Sequence, residues 1–171
     1  MPAVKQENMD KLTANNLRRL VIYDPESGIF TWRVRVSNCQ QGQILGRKVG
    51  NYFCVSIDRT RYYLHRLAWL YMAGQWPVAE IDHIEGFSNR WSNLREATSG
   101  QNKANKKVKR TSVLGVKGVC RTPARSKKPY EACVGRDGQK IWRDRFDTIE
   151  EASVAYAQKA AEIHGEFARI A

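Results

Sequence analysis

Ile81-Asp82-His83-Ile84-Glu85-Gly86, followed by Asn89-Arg90-Trp91-Ser92-Asn93-Leu94-Arg95 and then Gln101-Asn102-Lys103-Ala104-Asn105, decides how this 171-residue chain is read. The stretch gathers a carboxylate, an imidazole and several carboxamides. Residues 78–84 read as a short strand ending at the Asp-His pair, and 85–92 as a loop in which Gly86 supplies conformational freedom. Leu94–Ala97 returns antiparallel, making a hairpin with a wide tip. Thr98-Ser99-Gly100-Gln101 fits a capping box, so a helix starts there, with Asn102 and Asn105 one turn apart on one face. Two strands and a helix are thus expected to bring Asp82, His83 and Asn102 together.

Those residue types suit phosphodiester hydrolysis. The reaction needs a deprotonated water in line with the leaving oxygen and positive charge to stabilise the pentacovalent phosphate. A histidine titrating near neutrality suits the base, and Asp and Asn oxygens suit a hard cation that keeps several waters. His83 is therefore the candidate base, and Asp82 and Asn102 are candidate ligands for one divalent ion, Mg²⁺ or Mn²⁺.

Composition supports a polyanionic partner. Lys and Arg number 29 against 17 Asp and Glu, a net charge of +12, which favours nucleic acid. The charge is clustered: residues 103–145 hold 14 Lys or Arg against Glu131, Asp137 and Asp144. The four cysteines (Cys39, Cys54, Cys120, Cys133) form no Cys-x-x-Cys pair, which argues against structural zinc, and suggest no disulfide scaffold. No long apolar run opens the chain, and the most apolar segment, 67–73, is too short to span a bilayer. A soluble protein of a reducing cytoplasm, with no membrane partner, is expected.

Upstream of the central stretch, residues 11–22 read as an amphipathic helix stopped by Asp24-Pro25-Glu26-Ser27-Gly28. Residues 29–34 read as a strand and 40–50 as loop. Tyr52–Ile57 and 60–64 read as a hairpin turning at Asp58-Arg59. Residues 65–72 form an apolar helix ended by Gly74 and Pro77. His65, which opens it, reads as a hydrogen-bonded structural group outside the catalytic set. Arg90 and Arg95 can contact phosphate or pair with acids.

Downstream, Lys103 to Ser112 is a self-repelling basic run read as a linker. A second module comes next: a strand over 115–121, a hairpin of Tyr130–Arg136 and Gln139–Phe146 turning at Asp137-Gly138, and a helix over Ile149–His164 with a capping box at Thr148.

The central pattern, Asp82-His83-Ile84-x-Gly86, Asn89-x-x-x-Asn93-Leu94-Arg95-Glu96-Ala97-Thr98 and Gln101-Asn102-x-x-Asn105, closely resembles the HNH nucleases, specifically phage and intron-associated homing endonucleases. Tyr23-Asp24-Pro25-Glu26-Ser27-Gly28-x-Phe30-Thr31-Trp32, His65-Arg66-Leu67-Ala68-Trp69 and Trp76-Pro77 resemble the segments preceding the motif. The resemblance covers residues 23–105. It implies a ββα-metal (His-Me finger) core in which His83 activates water, Asp82 and Asn102 bind one divalent metal, and Asn93 fixes the loop by bonding backbone groups. The loop from His83 to Asn93 is about two residues shorter than the usual pattern, so either Asn89 or Asn93 can act as its brace.

The second module resembles the DNA-binding domain of plant ethylene-response factors through Lys117-Gly118-Val119-x-x-x-Pro123 and Trp142-x-x-x-Phe146-Asp147-Thr148-x-Glu150-Glu151-Ala152-x-x-Ala155-Tyr156. The resemblance implies a three-stranded sheet lying in the major groove. Cys120, Thr122 and Gly135 stand where arginine is frequent and Asp144 where glycine is, so no base preference carries over. Lys117, Arg121, Arg136, Lys140, Trp142 and Arg143 are the candidate DNA contacts, reading bases or touching phosphates. Trp142 can equally be core.

The expectation is a two-domain α+β endonuclease acting on double-stranded DNA, by nicking or double-strand cleavage, as a monomer or homodimer. Residues 1–106 form a β-rich scaffold and nuclease site, 107–112 a basic linker, and 113–171 a DNA-binding domain of three antiparallel strands and one helix. A cytoplasmic location is expected, in a bacterial host if the chain is phage-encoded. The alternative is a DNA-binding regulator with a degenerate nuclease motif.

Overall fold

The first helix is brief. Thr13 accepts a 3.2 Å hydrogen bond from the Asn16 amide, capping α1 (Ala14–Leu20). The chain then turns extended, because Val21, Ile22 and Tyr23 are β-branched or aromatic and alternate buried and exposed. They form β1 (Val21–Asp24), which pairs antiparallel with β2 (Ile29–Trp32), Val21 opposite Trp32. The helix expected over 11–22 therefore stops at Leu20. This computed structural model describes residues 12–108, 113–123 and 127–170. Lys11 and most of the expected linker, 109–112, lie outside them.

A second sheet runs β3 (Arg47–Val49), β4 (Tyr52–Ile57) and β5 (Thr60–Tyr63), with β4 in the middle. The 40–50 segment, expected as loop, thus contributes an edge strand, hidden in the sequence by its two exposed basic residues. Asp58 and Arg59 both take positive φ at the β4–β5 turn. Helix α2 (Leu64–Ala73) ends where Gly74 enters the left-handed region at φ 79°. Leu17, Val21, Phe30, Leu67 and Leu70 are fully enclosed between these elements, each burial stabilising by roughly 1.5–3 kcal/mol before entropy is counted. The core thus fixes α2 against the sheets that carry the site.

Next come β6 (Glu80–His83) and β7 (Leu94–Ala97), a two-stranded sheet, with a 3₁₀ turn at Trp91–Asn93 leading into β7. The Ile84 amide donates to the Asn93 carbonyl at 2.9 Å, closing the hairpin one residue beyond β6.

The packing divides the chain into two units, Met1–Glu96 and Ala97–Ala171. The sequence placed its boundary at 107–112. The difference arises because α3 (Ser99–Ala104), capped by Thr98 and Gln101 as expected, buries none of its own residues and packs with the chain downstream of it. Within the second unit, the Lys117 ammonium donates to the Ala104 carbonyl. The unit's sheet consists of β8 (Val119–Arg121), β9 (Tyr130–Arg136) and β10 (Gln139–Phe146), all antiparallel with β9 central. Helix α4 (Ile149–His164), capped by Thr148 and Glu151, lays Ala152, Tyr156 and Ala160 on Val119, Ala132 and Val134. Gly118 has φ +69°, and a Cβ there would lie 2.0 Å from the Tyr156 ring, so glycine is what lets that aromatic close on β8. The described residues thus form four small sheets and four α-helices, and no described helix is long and apolar enough to cross a membrane.

Candidate active site

Asp82 and His83 close β6, and both are buried, at 4% and 8% exposure. A buried carboxylate requires a partner. Oδ2 of Asp82 accepts from Nε of Arg95 at 3.1 Å and from Nη2 at 3.0 Å. Arg95 sits on the antiparallel neighbour β7. Of the two roles open to it in the sequence, it takes the acid partner's, while Arg90 is exposed.

The His83 ring lies among aromatic groups. Tyr52 is 5.9 Å from it by centroids, Phe87 6.0 Å and His65 5.1 Å, the last edge-on. Burial pushes the His83 pKa below the usual histidine value, opposed by Asn89 and by the Asp82 charge. The ring is thus neutral at pH 7 and can accept a proton. Oδ1 of Asn89 lies 3.4 Å from Nε2, at the long edge of hydrogen bonding.

His65 departs from the expectation of a hydrogen-bonded structural group. Its Nδ1 is buried without a hydrogen-bond partner among the described residues. Contacts with the rings of Tyr52, Tyr63 and His83 hold it instead. Desolvation, with the His83 and Arg66 charges, brings its pKa down to about 3.

The two asparagines divide the loop between them. The Asn93 carboxamide accepts from the Glu85 amide at 2.8 Å and donates to the Glu85 and Ser88 carbonyls, each at 2.8 Å. Asn93 is thus the brace and Asn89 the neighbour of the imidazole. The loop is also seated from outside. The Tyr23 hydroxyl donates to the Asn89 carbonyl at 2.6 Å, and the Trp91 amide donates to the Pro25 carbonyl at 2.9 Å. Gly28, at φ +74°, lies so close that a Cβ would be 2.5 Å from the Asn89 carbonyl carbon. The turn at 24–28 therefore has a job the sequence did not reveal, since its partner lies more than sixty residues away.

Asn102 occupies α3, in the second unit, and its amide donates to the Thr98 carbonyl at 2.9 Å. Asn105 is the C-cap of that helix. Among the described residues no three His, Cys, Asp or Glu side chains gather into a metal cluster.

In the second unit, the register sorts the candidate DNA contacts, because directly opposed residues share a face. Lys140 opposes Gly135, Arg143 opposes Cys133 and Arg145 opposes Glu131, setting these three cations on the face away from α4. Arg145, not singled out in the sequence, pairs with Glu131 at 3.4 Å. Trp142 opposes buried Val134 and packs partly buried against the α4 core, apart from that basic face. Arg121 lies over the Tyr130 ring at 5.9 Å, and Arg136 is exposed beside Asp137 at the hairpin tip. Lys117 is half-buried, and desolvation first, then the nearby Arg169 charge, takes its pKa down to about 8. Its bond to Ala104 turns it inward.

Residues 62–104, from β5 to the end of α3, match the family model for HNH endonuclease. That span carries the buried pair, the braced loop and Asn102. Over that span the chain is similar to the HNH endonucleases. The chain is also 35% identical over 119 residues to an uncharacterized HNH endonuclease of Acanthamoeba polyphaga mimivirus, an alignment covering 67% of this chain and 59% of that protein. The chain therefore spans less than two thirds of this relative's length. No solved structure matches.

Proposed function

We propose that this chain is a metal-dependent DNA endonuclease of the HNH homing type, with a ββα-metal core ending at Asn102 and a DNA-binding module over 113–171 resembling that of ethylene-response factors. The observation carrying this reading is the buried Asp82-His83 pair at the mouth of a loop braced by Asn93 and seated on the 24–28 turn. Such support around a neutral imidazole is what a general base requires.

His83 takes the proton of the attacking water. With the other ring proton on Nε2, the Asn89 oxygen accepts it, and the basic lone pair then lies on Nδ1. Asn93 keeps the loop from shifting as the ring changes charge, and Arg95 fixes the orientation of the Asp82 carboxylate. The donor chemistry of Asp82 and Asn102 fits a hard divalent cation such as Mg²⁺ or Mn²⁺, which when bound supplies positive charge for the pentacovalent phosphate and the leaving 3′ oxygen. Lys140 and Arg143, exposed and on one face of the second sheet, support contact with duplex phosphates or base edges.

A DNA-binding regulator with an inactive nuclease site is the second reading. The Arg95 guanidinium on Asp82 favours it, since a ligand already neutralised binds a cation less strongly. Incubating the protein with long duplex DNA and Mg²⁺ or Mn²⁺, with His83→Ala in parallel, separates the two. The substrates include the DNA flanking the gene's own locus. Metal-dependent cleavage lost in His83→Ala is expected. Binding without cleavage across all of them would establish the regulator.

A further inference from the structure

One cavity in the first unit is explained neither by the core nor by the catalytic groups. It measures about 220 Å³, smaller than the roughly 300–1,000 Å³ typical of drug-sized ligand sites. Ile29, Ile44, Phe53 and Phe87 line it and are 44%, 65%, 39% and 45% exposed. Large apolar side chains left in water around one hollow mark a binding surface rather than random exposure. Phe30, Leu45 and Leu64 close its inner side, and its polar wall comes from Ser27 of the 24–28 turn and from Ser88 and Asn89 of the catalytic loop. Asn89 is also the residue whose carboxamide approaches Nε2 of His83, so the hollow and the site share a residue.

The loop also fixes the orientation of its own aromatic residue. Phe87 packs edge-on against Tyr52, with centroids 5.4 Å apart and planes at 86°, and lies 6.0 Å from His83. A ring held this way yet nearly half in solvent presents a rigid face to whatever enters. Phosphate gains nothing from such a face, since it is bound by cations and amides. A nucleobase gains both stacking on aromatic rings and hydrogen bonding at its edge. From this complementarity, and resting on the nuclease reading above, we propose that the cavity receives one unstacked nucleobase of the substrate strand beside the scissile phosphate, with Phe87 and Phe53 as stacking surfaces and Ser88 and Asn89 at the polar edge. The hollow admits a single flat ring system, and its place beside Asn89 assigns that base to a nucleotide next to the cut. Phe87 is thereby a substrate-positioning residue.

The test uses the full-length protein and a duplex in which the cut has been mapped. Nucleotides on either side of the cut are replaced one at a time by an abasic residue or by 2-aminopurine. Phe87→Ala and Phe53→Ala are expected to raise KM about tenfold, within the range for losing one stacked base, with the effect in KM rather than kcat. Phe87→Tyr restores KM, whereas Phe87→Leu, which keeps apolar bulk without a π face, does not. One abasic position should raise KM in the wild type and add little in Phe87→Ala, because both remove the same contact. At that position 2-aminopurine fluorescence should change on binding to the wild type and not to Phe87→Ala. Unchanged KM in Phe87→Ala, or full rescue by leucine, in a protein that cleaves normally would overturn the pocket while leaving the nuclease reading intact. A wild type that neither binds nor cuts duplex DNA would remove both.

Discussion

The Tyr23 hydroxyl donates to the Asn89 carbonyl at 2.6 Å, so the first strand of the chain holds the loop that carries the neighbour of His83. The Tyr23 phenol is pushed above its usual pKa, chiefly by burial, and remains a donor throughout the working pH range. Gly28 completes the seat by leaving no Cβ between the turn and the Asn89 backbone. Gly28→Ala is accordingly expected to displace the loop, through both the Cβ clash and the positive φ. A stability loss of about 1–3 kcal/mol is expected, with a larger proportional fall in cleavage. Tyr23→Phe, losing one hydrogen bond, should cost about 1 kcal/mol. Urea unfolding beside single-turnover cleavage measures both. Equal cleavage rates in Gly28→Ala and wild type would show that the loop does not depend on this seat.

Asn93 and Asn89 should differ in what their loss does. Asn93→Asp keeps the acceptor for the Glu85 amide but turns two donor bonds, to Glu85 and Ser88 carbonyls, into repulsions. Loss of loop position by about an ångström is expected to lower kcat about 100-fold, with KM little changed. Asn89→Ala leaves the brace intact and acts on kcat only through the imidazole, so its kcat loss should be smaller. A larger loss in Asn89→Ala would reverse this division.

Much of this arrangement was legible in sequence, for local reasons. Both capping boxes, the Asp137-Gly138 hairpin and the α2 end at Gly74 depend on residues within a few positions of one another, and the structure has them where the residue types put them. β1 was hidden because Leu17, Leu20 and Val21 continue a helical spacing until β-branched residues take over. β3 was hidden because an edge strand can be charged. The seat under Asn89, the Arg95 partner of Asp82 and the orphaned Nδ1 of His65 arise from long-range packing, which leaves no mark in local spacing. Trp142 was ambiguous because an amphipathic strand residue can face either way, and only register places it toward α4.

Arg95→Ala removes the charge partner of a carboxylate buried to 5% side-chain exposure. Breaking such a pair from one side removes a guanidinium from a buried carboxylate, at a cost of up to about 3–5 kcal/mol. A denaturant midpoint shift of that size is expected, with Arg95→Lys intermediate because lysine cannot reproduce the two guanidinium contacts on Oδ2. A loss below about 1 kcal/mol would mean that the pair is effectively solvated.

His65 makes stability depend on pH. Its folded pKa of about 3 lies below the ordinary value of 6.5, so between those limits the unfolded chain binds the proton and the folded chain does not. Stability is then fully present above pH 6.5 and falls as pH drops towards 3, by about 1.4 kcal/mol per unit at most. His83, lowered in the same direction, adds to the slope. Urea unfolding at a series of pH values should show the slope flattened in His65→Leu. An identical slope in that variant would place the titration elsewhere.

Lys140 and Arg143 share the sheet face away from α4, whereas Trp142 packs towards it and Lys117 is tied to Ala104. Counterion release makes each phosphate contact visible as a change in salt dependence. Lys140→Ala and Arg143→Ala should each weaken duplex binding and reduce the slope of log affinity against log salt by about 1 if they touch phosphate. If Arg143 reads a base instead, its loss costs about 1–3 kcal/mol on the preferred sequence and leaves the slope nearly unchanged. Lys117→Ala, whose ammonium is already spent on a carbonyl, should alter stability more than the slope. A reduced salt slope in Lys117→Ala, with none in Lys140→Ala or Arg143→Ala, would move the DNA surface to the opposite side of this module.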